Sequence, residues 1–316
     1  MFGICIEASH QRGMGHLFRA LNLCEGLSER GLPFHIFINK NDASEKILEQ
    51  RNLPFETVPL DSTKQDWQQK LIHQYGIKAW VDDRLNTDIN HAMQVKACDI
   101  ALVTFDDRGS GARLADLNIA ALAFDEAELL EGNKVLRGPS YLPLNPEIAR
   151  YKRLRNEQNR IVVSMGGSDT YGITVKVAHL LKAAGRGATV IVGPAFQHEH
   201  ELNNVIDSSF ELKRALPSLM EEFSHYDLAI TGGGITPFEA NAAGLPCVVI
   251  ANEDFEIPVG KGLEKLGGAV FAGHHSQIDA HFLTQNLPIK KMSQLGMEQI
   301  DLNGTTRILD EIEALV

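Results

Sequence analysis

Thr231-Gly232-Gly233-Gly234-Ile235-Thr236-Pro237-Phe238-Glu239, continued by Ala240-Asn241-Ala242-Ala243-Gly244-Leu245-Pro246, decides the reading of this chain. The apolar run Leu228-Ala229-Ile230 before it reads as a buried strand, and three glycines then turn the backbone. Thr236 is expected to cap a helix that Gly244 and Pro246 end, and Thr236 to Glu239 has capping-box spacing with Pro237 in the first turn. A strand, a glycine turn and a helix start make an anion site. Outward N–H groups, the helix dipole and missing side chains let a phosphate group approach closely. The ligand inferred from this stretch is a diphosphate held without a metal.

A second glycine turn, Gly13-Met14-Gly15-His16-Leu17-Phe18-Arg19, follows the apolar strand Ile4-Cys5-Ile6. It opens a helix with Leu17, Leu21, Cys24 and Leu27 at helical spacing. A third, Ser164-Met165-Gly166-Gly167-Ser168-Asp169, leads from Ile161-Val162-Val163 into a helix near 172–184. The first and third open two half-chains of one design, with returning strands at 34–38 and 188–192.

At 316 residues the chain is expected to form two domains. Strands alternate with helices, which implies parallel sheets covered on both faces. Strands are expected near 2–7, 34–38, 55–58, 79–81, 101–105 and 119–123, then near 161–164, 188–192, 227–230, 247–250 and 269–271. The boundaries drawn are 1–142 for an N-terminal Rossmann-like domain, 143–158 for a linker and 159–316 for a C-terminal nucleotide-binding domain. The last helix, near 304–315, is expected to pack back across the domains. Two such domains facing each other bring strand C-ends toward one cleft, so the loops around His16 and Gly233 are expected to meet there.

The formal net charge of −11 argues against broad nucleic-acid or anionic-membrane binding. No apolar run is long enough for a membrane span, and the N-terminus carries no secretory pattern. Cys5, Cys24, Cys98 and Cys247 lie far apart and read as reduced residues of a cytoplasmic protein. A monomer is favoured, and no cofactor is expected.

Gly13-x-Gly15-His16-x-x-Arg19, Ser164-Met165-Gly166-Gly167-Ser168-Asp169, Gly232-Gly233-Gly234-Ile235-Thr236-x-x-Glu239 and Gly244-x-Pro246 resemble the nucleotide-sugar hydrolases of the pseudaminic-acid pathway and their spore-coat polysaccharide relatives. Val103 to Asp107, Gly138 to Tyr141 and the tail from Asn303 to Ile308 support the resemblance, which runs in order over nearly the whole chain. It implies an α/β fold of the GT-B type, with two facing Rossmann-like domains and parallel sheets. It also implies metal-independent hydrolysis of UDP-2,4-diacetamido-2,4,6-trideoxy-β-L-altropyranose to UDP and a free sugar. Glu239 would then accept hydrogen bonds from the ribose hydroxyls. The chain departs from that family at Asp82-Asp83-Arg84, where Asp-x-Tyr is usual, and at Asn252-Glu253, where Asn-Gln is usual. Thr236-Pro237-Phe238-Glu239 differs mildly from its Thr-Trp-Glu-like segment.

His16 at a helix start is the expected base, because the dipole there disfavours the imidazolium. In the implied mechanism it deprotonates a water that attacks the anomeric carbon. Asp106 or Asp107 is expected to hold the sugar or support His16, and Asp107 is placed with His16 in the catalytic set. Arg19 is expected to meet a phosphate or carboxylate, or solvent. Gly13, Gly15, Arg19, Gly166, Gly167, Ser168, Gly233, Gly234, Ile235, Thr236, Glu239 and Asn252 form the expected substrate and nucleotide set. Uracil is placed near Ala215-Leu216. The acid pairs Asp82-Asp83 and Asp106-Asp107 raise a metal reading, but helix ends already serve the phosphate, so none is expected. His198, His200, His274 and His275 read as solvated loop residues. A glycosyltransferase using a sugar or lipid hydroxyl, and a non-catalytic nucleotide-sugar binder, stand as alternatives. The mixed stretch 64–78 makes a poor membrane-facing patch, which favours water or a soluble acceptor.

Overall fold

A computed structural model describes residues 1–8, 15–60, 66–125, 127–214, 216, 219–284 and 286–316. The chain divides into two compact units, one of Met1–Pro143 with Asn303–Val316 and one of Leu144–Leu302. Both are Rossmann-like, each with a parallel sheet between helices.

The first unit runs β1 (Phe2–Ile6), α1 (Gly15–Glu29), β2 (Phe34–Ile38), α2 (Asp42–Gln50), β3 (Phe55–Thr57), α3 (Trp67–Tyr75), β4 (Ala79–Asp83), α4 (Ile89–Lys96), β5 (Ala101–Phe105), β6 (Leu117–Ala120) and β7 (Lys134–Arg137). Its strand order is β3-β2-β1-β4-β5-β6-β7, every pairing parallel. The sheet reverses direction of growth between β1 and β4, and such a switch point opens a crevice beyond the strand C-ends. Central strands such as β1 are buried on both faces and therefore read as unbroken apolar runs. One face packs Ile4, Ile6 and Val81 against Leu17, Leu21 and Cys24 of α1. The other packs Cys5, Phe37 and Trp80 against Trp67, Leu71 and Ile72 of α3.

The second unit runs α5 (Ile148–Tyr151), β8 (Ile161–Ser164), α6 (Ile173–Ala183), β9 (Thr189–Val192), α7 (Glu199–Val205), β10 (Glu211–Arg214), α8 (Leu219–Phe223), β11 (Leu228–Gly232), α9 (Thr236–Ala242), β12 (Cys247–Ala251), α10 (Glu256–Leu266), β13 (Ala269–His274), α11 (His281–Thr284) and α12 (Ile289–Gln299). Its order is β10-β9-β8-β11-β12-β13, with the switch point between β8 and β11. Among the described residues no helix is long and apolar enough to cross a membrane.

Two boundaries differ from the sequence reading. Of the segment expected as a linker over 143–158, all but Pro143 belongs to the second unit. Arg155 within it is fully buried, and its guanidinium donates to the carbonyls of Arg153, Phe223, Tyr226 and Ala243. Burial, then repulsion from Arg153, lowers its pKa to about 9. The second unit also ends at Leu302, not at residue 316. The last helix, α13 (Gly304–Glu313), places Ile308, Leu309 and Ile312 in the first unit's core. Gly26 of α1 admits that contact, since a Cβ there would lie 2.5 Å from Thr305 Cγ2. Strands β7 and β10 were not anticipated. Both are sheet edges with charged residues at each end, and such edges lack the apolar signature of central strands.

Because Leu309 is 1% exposed in that core, Leu309→Ala should cost about 2–5 kcal/mol. Urea unfolding followed by circular dichroism measures it, and an unchanged midpoint would contradict the docking of α13.

Candidate active site

At the first unit's switch point, α1 starts immediately after the β1 loop and presents His16 and Arg19 one turn apart on one buried face. Two carboxylates close around them. His16 Nδ1 lies 2.6 Å from Asp83 Oδ1, and Arg19 Nε donates to Asp83 Oδ2 at 2.6 Å. A second Arg19 nitrogen donates to Asp83 Oδ1, and a third to Asp106 Oδ2. The guanidinium also sits 4.9 Å from the centre of the Phe105 ring. None of the four polar side chains is more than 8% exposed by residue.

The protonation pattern follows from the partners. Burial alone would raise the Asp83 pKa, but Arg19 first and His16 next pull it down to about 2. Burial would lower the Arg19 pKa, and the two carboxylates instead hold it above its ordinary value. Asp83 is therefore an acceptor only, so the neutral His16 ring donates from Nδ1 and keeps Nε2 as a free-pair acceptor. A base whose second nitrogen is oriented by a carboxylate is the arrangement used in nucleophile activation.

Asp83 was not anticipated as this partner. Asp107, placed with His16 in the catalytic set, instead ties its own loop to the one after β4. Its Oδ1 accepts from the N–H groups of Thr87 at 3.0 Å and Gly109 at 2.7 Å. The support expected of Asp106 or Asp107 comes from Asp83 directly, with Asp106 behind it through Arg19. The available signal was the period of two along β4. Val81 and Asp83 share the face of α1, while Trp80 and Asp82 share the other. Asp82 accordingly takes a different histidine: Trp80 Nε1 donates to it at 2.9 Å, and His91 Nε2 lies 2.9 Å away but poorly aligned for a hydrogen bond. Adjacent acids thus point to opposite faces of the sheet and do not form one ligand pair. Gly15 is exposed at the start of α1, and Gly13 lies outside the described residues.

In the second unit, the loops after β8, β11 and β12 share the C-terminal edge of the sheet at its switch point. Gly166, Gly167, Ser168, Gly233, Gly234, Ile235, Thr236, Glu239 and Asn252 all belong to these loops or to the helix start beyond them. Gly166 adopts φ +87, which demands glycine. The carbonyl of Gly167 accepts from Ala195 N–H at 3.0 Å, tying this loop to the one after β9. Asp169 caps α6 by accepting from Ile173 and Thr174, both at 2.8 Å.

The three glycines after β11 have different reasons to be there. A Cβ on Gly232 would lie 2.6 Å from Asn252 Nδ2, and one on Gly233 would lie 2.7 Å from the Glu256 Cβ. Gly234 faces open space. Thr236 is the first residue of α9, and Ile235 stands at the N-cap without a side-chain bond. The expected capping box is therefore absent. Its absence leaves the amides of Gly234, Ile235 and Thr236, and the Glu239 carboxylate, without partners among the described residues. Glu239 is half-buried as a residue, yet burial of its carboxyl pushes its pKa up to about 7.

One expected phosphate ligand is already engaged. Glu256 Oε2 accepts from Asn252 N–H at 2.7 Å and from Gly233 N–H at 3.3 Å. Burial raises the Glu256 pKa, and these two amides only partly offset it. Glu256 thus pins the loop after β12 to the glycine turn. Beside it Tyr171 donates to Glu253 at 2.7 Å and stacks on His275 with ring centres 4.5 Å apart. Leu216 is half-buried, and Ala215 beside it lies outside the described residues.

No protein-family model matches the chain. It is 25% identical to the spore coat polysaccharide biosynthesis protein SpsG of Bacillus subtilis, over 86% of this chain and 83% of that protein. It is 28% identical to an uncharacterized protein of Methanocaldococcus jannaschii, over 80% of this chain but only 56% of that one. Among solved structures, MurG of Acinetobacter baumannii superposes with a TM-score of 0.70 at 14% identity, covering 99% of each chain. The complex of S. aureus MnaA with UDP gives 0.65 at 12% identity, covering 99% of this chain and 96% of that one. These likenesses establish the fold as that of the GT-B glycosyltransferases.

The low pKa of Asp83 makes its ionisation a source of stability that is present above about pH 4 and lost as pH falls through about 2. The stability gap between the parent and Asp83→Asn should close by about 2 kcal/mol between pH 5 and pH 2. Denaturant titrations across that range measure the closure; a constant gap would place Asp83 outside the ion pair.

Proposed function

We propose that this chain is a metal-independent nucleotide-sugar hydrolase of surface-polysaccharide or nonulosonic-acid biosynthesis. It releases UDP and a free amino-deoxy sugar. The observation that carries the proposal is the orientation of His16, whose Nδ1 is held by the buried Asp83 carboxylate while Nε2 is left to accept a proton. The second unit holds the nucleotide: the free amides of Gly234, Ile235 and Thr236 take the diphosphate, and Glu239 takes the ribose hydroxyls. His16 Nε2 removes a proton from water, the water oxygen bonds to the anomeric carbon, and the bond from that carbon to the phosphate oxygen breaks. The electron pair leaves on UDP, where helix-start amides offset the developing charge. His16 then returns its proton to solvent. The similarity to SpsG supports a place in polysaccharide biosynthesis, and the UDP complex of a fold neighbour supports the nucleotide.

Water as acceptor is favoured over a lipid-linked hydroxyl because α3 turns Trp67, Leu71 and Ile72 into the core, so they offer no apolar docking surface. Incubation with UDP-sugars, with and without candidate acceptors, tests the reaction. UDP release that needs no acceptor is expected; release only with an acceptor would make the chain a transferase. His16→Ala should lower release by about 10²–10⁴-fold while UDP still binds. A variant with undiminished release removes His16 from the mechanism.

Glu239 adds a pH dependence. Ribose hydroxyls donate to the ionised carboxylate, so protonation weakens binding. UDP affinity should rise as pH increases through about 7. Glu239→Gln should bind more weakly, without that rise. Calorimetry at several pH values measures both, and a parent curve matching the variant's would remove Glu239 from the ribose site.

A further inference from the structure

His16 does not rest on a simple histidine–aspartate pair. Asp83 also holds the Arg19 guanidinium, and Arg19 holds a second buried carboxylate, Asp106. Asp106 adopts φ +47, in the left-handed region. Residues with a Cβ enter it at a cost of about 1–2 kcal/mol, aspartate and asparagine more readily than most. Glycine would sit there freely but would bring no carboxylate. Both Asp106 oxygens are engaged, Oδ1 by the Leu122 N–H at 2.9 Å and Oδ2 by Arg19. Its carbonyl accepts from Arg108 at 2.8 Å and its own N–H donates to Ile119 O at 2.9 Å. A strained residue anchored on every side and aimed at one guanidinium points to function beyond packing.

The charge count shows what that function is. With a neutral imidazole, Asp83, Arg19 and Asp106 sum to minus one; an imidazolium brings the buried cluster to zero. Without Asp106 the same proton uptake would take the cluster from zero to plus one, and unbalanced buried charge is costly. We propose that Asp106 is a positioning residue that acts through Arg19 and Asp83 to favour proton uptake by His16. The inference rests on the reading of His16 as the base. Among the described residues, the charged groups meeting the imidazole and its partners on this face are Arg19 from α1, Asp83 from β4 and Asp106 beyond β5. Asp82, Arg84 and Glu7 act instead on Cys5, on the opposite face.

The test uses the uniformly ¹⁵N-labelled full chain and imidazole ¹H–¹⁵N correlation spectra across pH, with the His16 signals identified by their loss in His16→Gln. In the parent, His16 should show the Nδ1–H tautomer. Asp106→Asn, which suits a left-handed backbone, should keep that tautomer and lower the His16 titration midpoint by roughly one pH unit. The acid limb of UDP release should move in the same direction. An unmoved midpoint overturns the proposal. Should Asp106→Asn not fold, Asp106→Gly eases the backbone while removing the charge and must give the same fall. A falling midpoint in a chain that releases no UDP would sink the catalytic reading alone. UDP release with an unmoved midpoint would sink this inference alone.

Discussion

The buried polar cluster of the first unit depends on one carboxylate. Asp83 stands at the C-end of a central strand, nearly without solvent, where an ionised acid survives only if its charge is met. Arg19 meets it with two nitrogens and His16 with one. Because the carboxylate can only accept, it selects which imidazole nitrogen carries the proton. Strand β4, helix α1 and the turn after β5 are therefore constrained together, since a shift in any one would leave a charge buried and unpaired.

The same strand separates two polar systems that adjacent residue numbers would merge. Asp83 faces α1 with Val81, whereas Asp82 faces α3 and α4 with Trp80. There it accepts from the indole and lies beside His91, which Gln68 contacts at 2.9 Å from the other side. Each acid lies beside a different histidine, on its own face of the sheet. The alternation of the pleat turns a dipeptide that looks like a metal ligand into two independent anchors.

In the second unit, the glycine turn after β11 owes its glycines to close approach, not to positive φ, which none of the three adopts. Gly232 and Gly233 let Asn252 and Glu256 press against the turn, and the amides of Gly234, Ile235 and Thr236 have no partner among the described residues. Glu256 stands at the edge of this turn, where its Oε2 accepts from the Gly233 and Asn252 N–H groups. It supplies the bonds that fix the neighbouring loop, whereas Glu253, the residue that departs from the expected Asn-Gln pair, meets Tyr171 instead.

Local pattern alone determined much of this protein. Apolar runs separated by amphipathic helices gave two parallel α/β halves, and Gly-His-x-x-Arg placed His16 and Arg19 on one helical face, because spacing along a chain is a local property. The polar edge strands β7 and β10 escaped notice because partial solvent exposure erases that pattern. Tertiary structure decided the rest. It seated Arg155 among four carbonyls, returned α13 to the first unit, and chose Asp83 over Asp107 as the partner of His16. It also left Thr236 inside the helix and Glu239 uncapped. Each of these depends on which distant segments share a buried face, and burial sets the energy of a charge or an unpaired donor only once the chain has folded.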